Sequence, residues 1–309
     1  MMPSVLVQYN GDKVETRGFK ERLRGVGWTQ NGSCVVVVGD GGRIIELRNE
    51  ELVRLNFETR HNLRDLSVNP SDDTVLIVGN AGTILLGEDG SFTKLNSPSF
   101  ENLRAVAWNH KGTMALIAGN NGTLMKYVDH RLEMVDNGRA NLRGISWRKT
   151  SDGALVTSNC FAEEFIPSPN LFTYDAKSNS VRSVSEGRSD LIGVDWRPDE
   201  AYALVVGYDV LWHTGLIGKF DGETLSPIKF ENKRVYPVAV RWDSAGKTAV
   251  IVTATAQAGS GNGQMFLWDG QIFKRIYSST AFFFSHVSWV PESVKLAGIA
   301  STETRTFNC

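Results

Sequence analysis

The chain has 309 residues, 41% of them hydrophobic and 22% charged, which is the composition of an ordinary globular protein with a large core. A formal net charge of −1 excludes a global attraction to nucleic acid or to an anionic membrane and leaves only local patches. Three widely spaced cysteines, Cys34, Cys160 and Cys309, argue against a disulfide framework or a paired-cysteine metal site and fit a reducing, cytoplasmic setting.

Residues 1–17 (MMPSVLVQYNGDKVETR) lack a charged segment followed by a long apolar one, so no signal peptide is expected. No apolar run approaches the roughly 18 residues of a membrane span, and no membrane insertion is expected. From there a unit recurs, clearest at Leu103–Tyr127 (LRAVAWNHKGTMALIAGNNGTLMKY). With Trp108 as reference, the matching positions are Trp28, Val68, Trp108, Trp147, Trp196, Trp242 and Trp289, at steps of 40, 40, 39, 49, 46 and 47 residues. Six of the eight tryptophans fall in this register, where they read as packing residues. Two positions earlier the residue is always apolar, from Val26 to Val287, and eleven positions later it is always small, from Gly39 to Ala300.

Each unit contains several short strands. Asp89-Gly90, Asp221-Gly222 and Asp269-Gly270 mark third-to-fourth strand turns, for which Asp-Gly favours a two-residue hairpin loop. Seven units of this length are expected to form an all-β, seven-bladed propeller of four-stranded antiparallel blades. The blades would span about 18–56, 57–97, 98–137, 138–185, 186–231, 232–279 and 280–309, in one domain over residues 1–309. The seventh unit has only two strands' worth of chain, whereas Val5–Glu15 aligns with the third and fourth strands at Thr123–Glu133. The N-terminal segment should therefore complete the last blade, residues near Val7 pairing with the C-terminal strands and removing an open edge.

The turns Trp28-Thr-Gln-Asn-Gly32, Val68-Asn-Pro-Ser-Asp72 and Trp196-Arg-Pro-Asp199 resemble the Trp-x-Pro-Asp-Gly turn of WD-repeat and TolB-like propellers. The Gly79–Leu85 and Gly119–Leu124 runs are similar to those of photosystem-assembly-type propellers. The Gly-His dipeptide of WD repeats is missing, and Leu267-Trp268-Asp269 is the one good Trp-Asp ending. The resemblance implies that first strands lie innermost, and that blade links and second-to-third turns share one face, the top.

Two irregular features then fall on that face. The top turns of the first three units are minimal, whereas 159–170, 208–215 and 254–264 are expanded; loops on a rigid scaffold are where binding usually resides, although neutral drift would also lengthen them. Within them Phe161, Phe165 and Trp212 are candidate partner contacts, Trp212 equally able to pack beneath its own loop. Arg24, Arg64, Arg104 and Arg143 follow the opening leucine in four successive units, three of them as Asn-Leu-Arg. They should form an arc at the channel mouth, suited to carboxylate or phosphate. The structural alternative is that each bridges to an acidic or carbonyl partner in a neighbouring blade, Glu21, Asp65, Glu101 or Asp190 being nearby.

No Gly-x-Ser-x-Gly elbow, phosphate loop or metal-ligand spacing occurs. His110 and His130 fall on bottom turns, and His61, His213 and His286 near the top or channel. The sequence therefore reads as a non-enzymatic interaction module for a protein or acidic peptide, with no catalytic residue, metal or cofactor expected and no nucleic acid as partner. A hydrolase or lyase with a metal or His/carboxylate site at the channel mouth, and a binder of a small anionic ligand, are the alternatives.

Overall fold

A computed structural model describes residues 3–48, 51–55, 57, 59–88, 90–135, 138–159, 167–209, 212–230, 235–254 and 263–302. They form seven four-stranded antiparallel sheets arranged as a seven-bladed β-propeller. All seven inner strands end on the reference residue of the repeat. They are Leu23–Trp28, Leu63–Val68, Leu103–Trp108, Asn141–Trp147, Ser189–Trp196, Tyr236–Trp242 and Phe283–Trp289. The top is the face where these strands begin.

The second strands read as unbroken apolar runs, such as Cys34–Gly39 (CVVVVG), with every residue buried. A sheet covered on both faces has no solvent side and so no reason to alternate. The cover comes from the neighbouring blades: seven clusters of buried apolar residues are present, each shared by two adjacent blades. The fourth strands, at the rim, are mostly exposed.

The last blade is closed as expected. Val7 of the strand Ser4–Tyr9 lies opposite Gly298 of the strand Leu296–Ser301 and, on its other side, opposite Thr16 of the strand Val14–Phe19. Phe283 and Phe284 enter the seventh inner strand and are buried. No helix among the described residues is long and apolar enough to cross a membrane.

The small residue at the eleventh position has a steric cause. A Cβ on Gly39 or Gly207 would lie 2.1 or 1.9 Å from the carbonyl oxygen of Arg22 or Asp190, the residue preceding the opening leucine. The reference tryptophans tie blades together where geometry allows: Trp147 Nε1 donates to Ala107 O and Trp289 Nε1 to Arg241 O, both at 2.9 Å. One expectation is corrected in part. The third and fourth strands pair Ser91 with Glu88 across a two-residue loop in the second blade. In the fifth and sixth blades the loops hold four residues, because the carboxylates of Asp221 and Asp269 accept N–H bonds two and three residues on.

Gly207→Ala should destabilise by about 2 kcal/mol or more through that backbone clash. Gly153→Ala, whose Cβ meets nothing nearer than 3.5 Å, should change stability little; urea midpoints at unchanged slope provide the comparison.

Candidate functional site

The channel mouth is built by one backbone device repeated in every blade. In the first blade Leu23 pairs with Gly39 and Gly25 with the adjacent Val38, so Arg24 is an extra residue on the inner strand. The same bulge occurs at Arg64, Arg104, Arg143, Ile192, Val238 and Ser285. A bulge leaves its residue out of the ladder and re-aims the side chain. All seven bulge residues line a cavity of about 710 Å³ at the top of the channel, a size usual for small-ligand sites. The bulge also explains a spacing visible in the chain: Leu103 and Val106, three apart, join the same core cluster, which an unbroken period of two forbids.

Asp190 of the fifth blade acts electrostatically on Arg143, in line with the structural alternative, while all four arginines share a hydrogen bond made within their own blade. Each reaches the first residue of its own blade's top turn, sixteen positions on. Arg24 makes a bidentate pair with Asp40, at 2.9 and 2.8 Å. Arg64 Nε donates to Asn80 Oδ1 at 2.9 Å, and Arg104 and Arg143 donate to Asn120 and Asn159 Oδ1 at 3.2 Å. The preceding asparagines make a hydrogen-bonded inter-blade link. Asn62, Asn102 and Asn141 Oδ1 accept the N–H of Gly41, Ala81 and Asn121 in the previous blade's turn, at 3.0, 3.1 and 2.9 Å. In Asn-Leu-Arg, then, the first residue joins blades, the second fills the core and the third lines the channel.

Three of the four arginines thus hydrogen-bond a neutral amide, which positions a guanidinium without cancelling its charge. Burial and the like charges of Arg143 and Arg24 push the pKa of Arg104 down to about 10. Arg143 is also lowered, by burial first; Asp190 opposes the shift and Arg64 adds to it. Around the cavity six arginines face three aspartates, so the mouth is electropositive in a protein of almost no net charge.

Further down the channel two candidates from the sequence, Asp65 and His286, meet. Asp65 accepts the N–H of Leu66 at 2.8 Å and of Val106 at 3.0 Å, and its Oδ1 is 3.2 Å from His286 Nδ1. Burial pushes its pKa up to about 6, against those two hydrogen bonds and the charge of Arg241. Arg241, also lining the cavity, donates to Val240 O at 2.9 Å. No group of three or more metal-ligating side chains occurs among the described residues.

Of the other candidates, Phe161 and Phe165 lie outside the described residues, as do 160–166, 210–211 and 255–262 within the expanded loops. Trp212 is 77% exposed rather than tucked beneath its loop, its backbone N–H donating to Asp209 Oδ1. Sequence reasoning missed Phe100, 92% exposed on the link leading to Leu103. Phe100 and Trp212 are the most exposed large apolar side chains among the described residues, and both belong to the top face. His61 and His213 are exposed at the top and His110 and His130 at the bottom.

No protein-family model and no curated protein sequence matches the chain. Among solved structures, Kuenenia stuttgartiensis hydrazine synthase superposes with a TM-score of 0.69, covering 88% of this chain and 90% of that one. At 12% identity this likeness concerns the propeller fold alone.

Because the folded Asp65 holds its proton to higher pH than the unfolded chain, its contribution to stability is complete below about pH 4 and is lost as pH rises through about 6. Relative to the native protein, Asp65→Asn should therefore gain stability between pH 4 and 6, by on the order of 3 kcal/mol. Urea midpoints across that range, taken as the difference between the two proteins, measure it.

Proposed function

We propose that the protein is a non-enzymatic, cytoplasmic interaction module that holds an acidic group of a protein or peptide partner in the channel mouth on its top face. The observation that carries this reading is the convergence of Arg24, Arg64, Arg104 and Arg143 on one concave mouth. The face around it also presents Phe100 and Trp212. Guanidinium groups held by neutral amides inside a partly dehydrated cavity favour a carboxylate or phosphate. Exposed aromatics beside such a mouth are the kind of anchor on which interfaces depend. A propeller as such is compatible with a protein-interaction scaffold, and the site, not the fold, has to carry the rest.

The enzyme reading has one observation in its favour, the His286–Asp65 contact inside the cavity. A histidine oriented by a carboxylate is the arrangement of a general base. Ser285, the hydroxyl that lines the same cavity, donates to Arg24 O at 2.8 Å, and no group of three metal-ligating side chains occurs among the described residues, so the interaction reading is preferred. Stoichiometric Ca, Zn or Mn in the purified protein would reverse that preference.

The test is quantitative affinity capture from extracts of the source cells. Proteins retained by the native chain should be lost with Arg104→Glu/Arg143→Glu and reduced with Phe100→Ala/Trp212→Ala. They should be kept with Ile272→Asp, which alters an exposed apolar residue of a bottom turn. Circular dichroism checks that each variant is folded. Retention of the same proteins by the two top-face variants would overturn the reading.

A further inference from the structure

The seven bulge residues are equivalent positions, and because blades follow one another in chain order they are neighbours around the mouth in the order Arg24, Arg64, Arg104, Arg143, Ile192, Val238, Ser285. The ring is therefore two-sided. Four consecutive blades contribute guanidinium groups, the next two contribute branched apolar side chains, and a serine closes the circle. Beside Ile192 and Val238 the cavity wall holds Gly193, Val194 and Ala239, all without charge, with Asp190 and Arg241 of the same two inner strands at its ends. A phosphate or a polyanion would use the first sector and leave the second unmatched. An apolar ligand would give Arg104 and Arg143 no anion in exchange for the water it displaces, and dehydrating charge is costly.

The acids in the wall narrow the choice further. Asp40 is engaged by Arg24, and Asp65 by two backbone N–H groups and His286. Asp190 stands buried at the entry to the fifth inner strand and acts electrostatically on Arg143. With Arg24 paired to Asp40 and Asp190 acting on Arg143, a single negative charge near Arg104 suits this wall. We propose that the mouth captures one carboxylate with an apolar group on the adjoining carbon, supplied by the C-terminal residue of a partner polypeptide. A chain terminus places both groups on the same Cα. An internal Asp or Glu in extended chain sends its carboxylate and its neighbour's side chain to opposite sides. This deepens the interaction reading above and rests on it.

The test is fluorescence polarisation with the full-length protein and dye-labelled peptides. The probes are Gly-Ser-Gly-Ser-Leu as free acid and as amide, Gly-Ser-Gly-Ser-Ser as free acid, and Gly-Ser-Glu-Ser-Leu as amide. The leucine free acid should bind, and either amidation or the terminal serine should weaken binding roughly tenfold or more, as removal of one partner from a matched pair does. Arg104→Gln should erase the preference for acid over amide while keeping that for leucine over serine. Ile192→Ser should do the reverse. Such a crossed pattern is not produced by a variant that merely misfolds. Equal binding of the amide or of the serine peptide, or binding of none of the probes, overturns the proposal. Arg104-dependent binding of the internal-Glu amide, as tight as the free acid, overturns the terminus while leaving the top-face reading intact. Displacement by 4-methylpentanoate at concentrations similar to the leucine peptide overturns a polypeptide source in favour of a small carboxylic acid.

Discussion

Every blade of this protein has two apolar faces, and that constraint governs the rest. A four-stranded sheet such as the one containing Cys34–Gly39 cannot keep water off both sides by itself. It has to stand between two others, and the last has to stand against the first. The seven core clusters, one at each blade interface, are the result. A ring has no terminal blade to cap, provided that its seventh sheet is complete. The N-terminal strands supply what the C-terminal segment lacks, through the antiparallel register that sets Val7 opposite Gly298. Apolar burial is non-directional; the directional hydrogen bonds of this ladder determine where the ring is closed.

Packing sheets face to face around an axis also creates the channel. The inner strands converge there, and the bulge near the start of each decides what faces the mouth. Its two effects are inseparable. The extra residue lets the opening leucine and the branched residue three positions later reach the same core. It also turns the residue between them towards the axis. A position with a structural cause in every blade is thereby available for different chemistry in each: arginine in four, Ile192 and Val238 in two, Ser285 in one.

The electrostatics follow from the same economy of partners. A carboxylate at the turn position, as in Asp40, pairs with its arginine; an amide, as in Asn80, Asn120 and Asn159, fixes the arginine's direction and leaves the mouth positive. The depressed pKa of Arg104 expresses the resulting cost, since desolvation and like charges disfavour the cation. Cationic clusters of this kind occur both at functional sites and in structural charge networks.

The repeat and the ring were legible in the chain because they rest on local patterns: a tryptophan register, small residues at a crossing, apolar runs of strand length, and a missing half-blade matched by an extra one. The arginine arc was legible as a repeated position, though not its partners, which lie on a second strand whose register no local pattern reveals. Leu103 and Val106, three apart and both apolar, were the available sign of the bulge; read with a period of two they point to opposite faces. The contact of Asp65 with His286, residues of the second and seventh blades, exists only because the ring brings distant inner strands to one axis. The exposure of Phe100 likewise depends on what fails to cover it. The sequence by itself determined the blades, their number and the closing strand, since each follows from short-range periodicity and burial. Only the tertiary structure decided which side chains share the mouth, because that depends on hydrogen-bond register and on closure around a common axis.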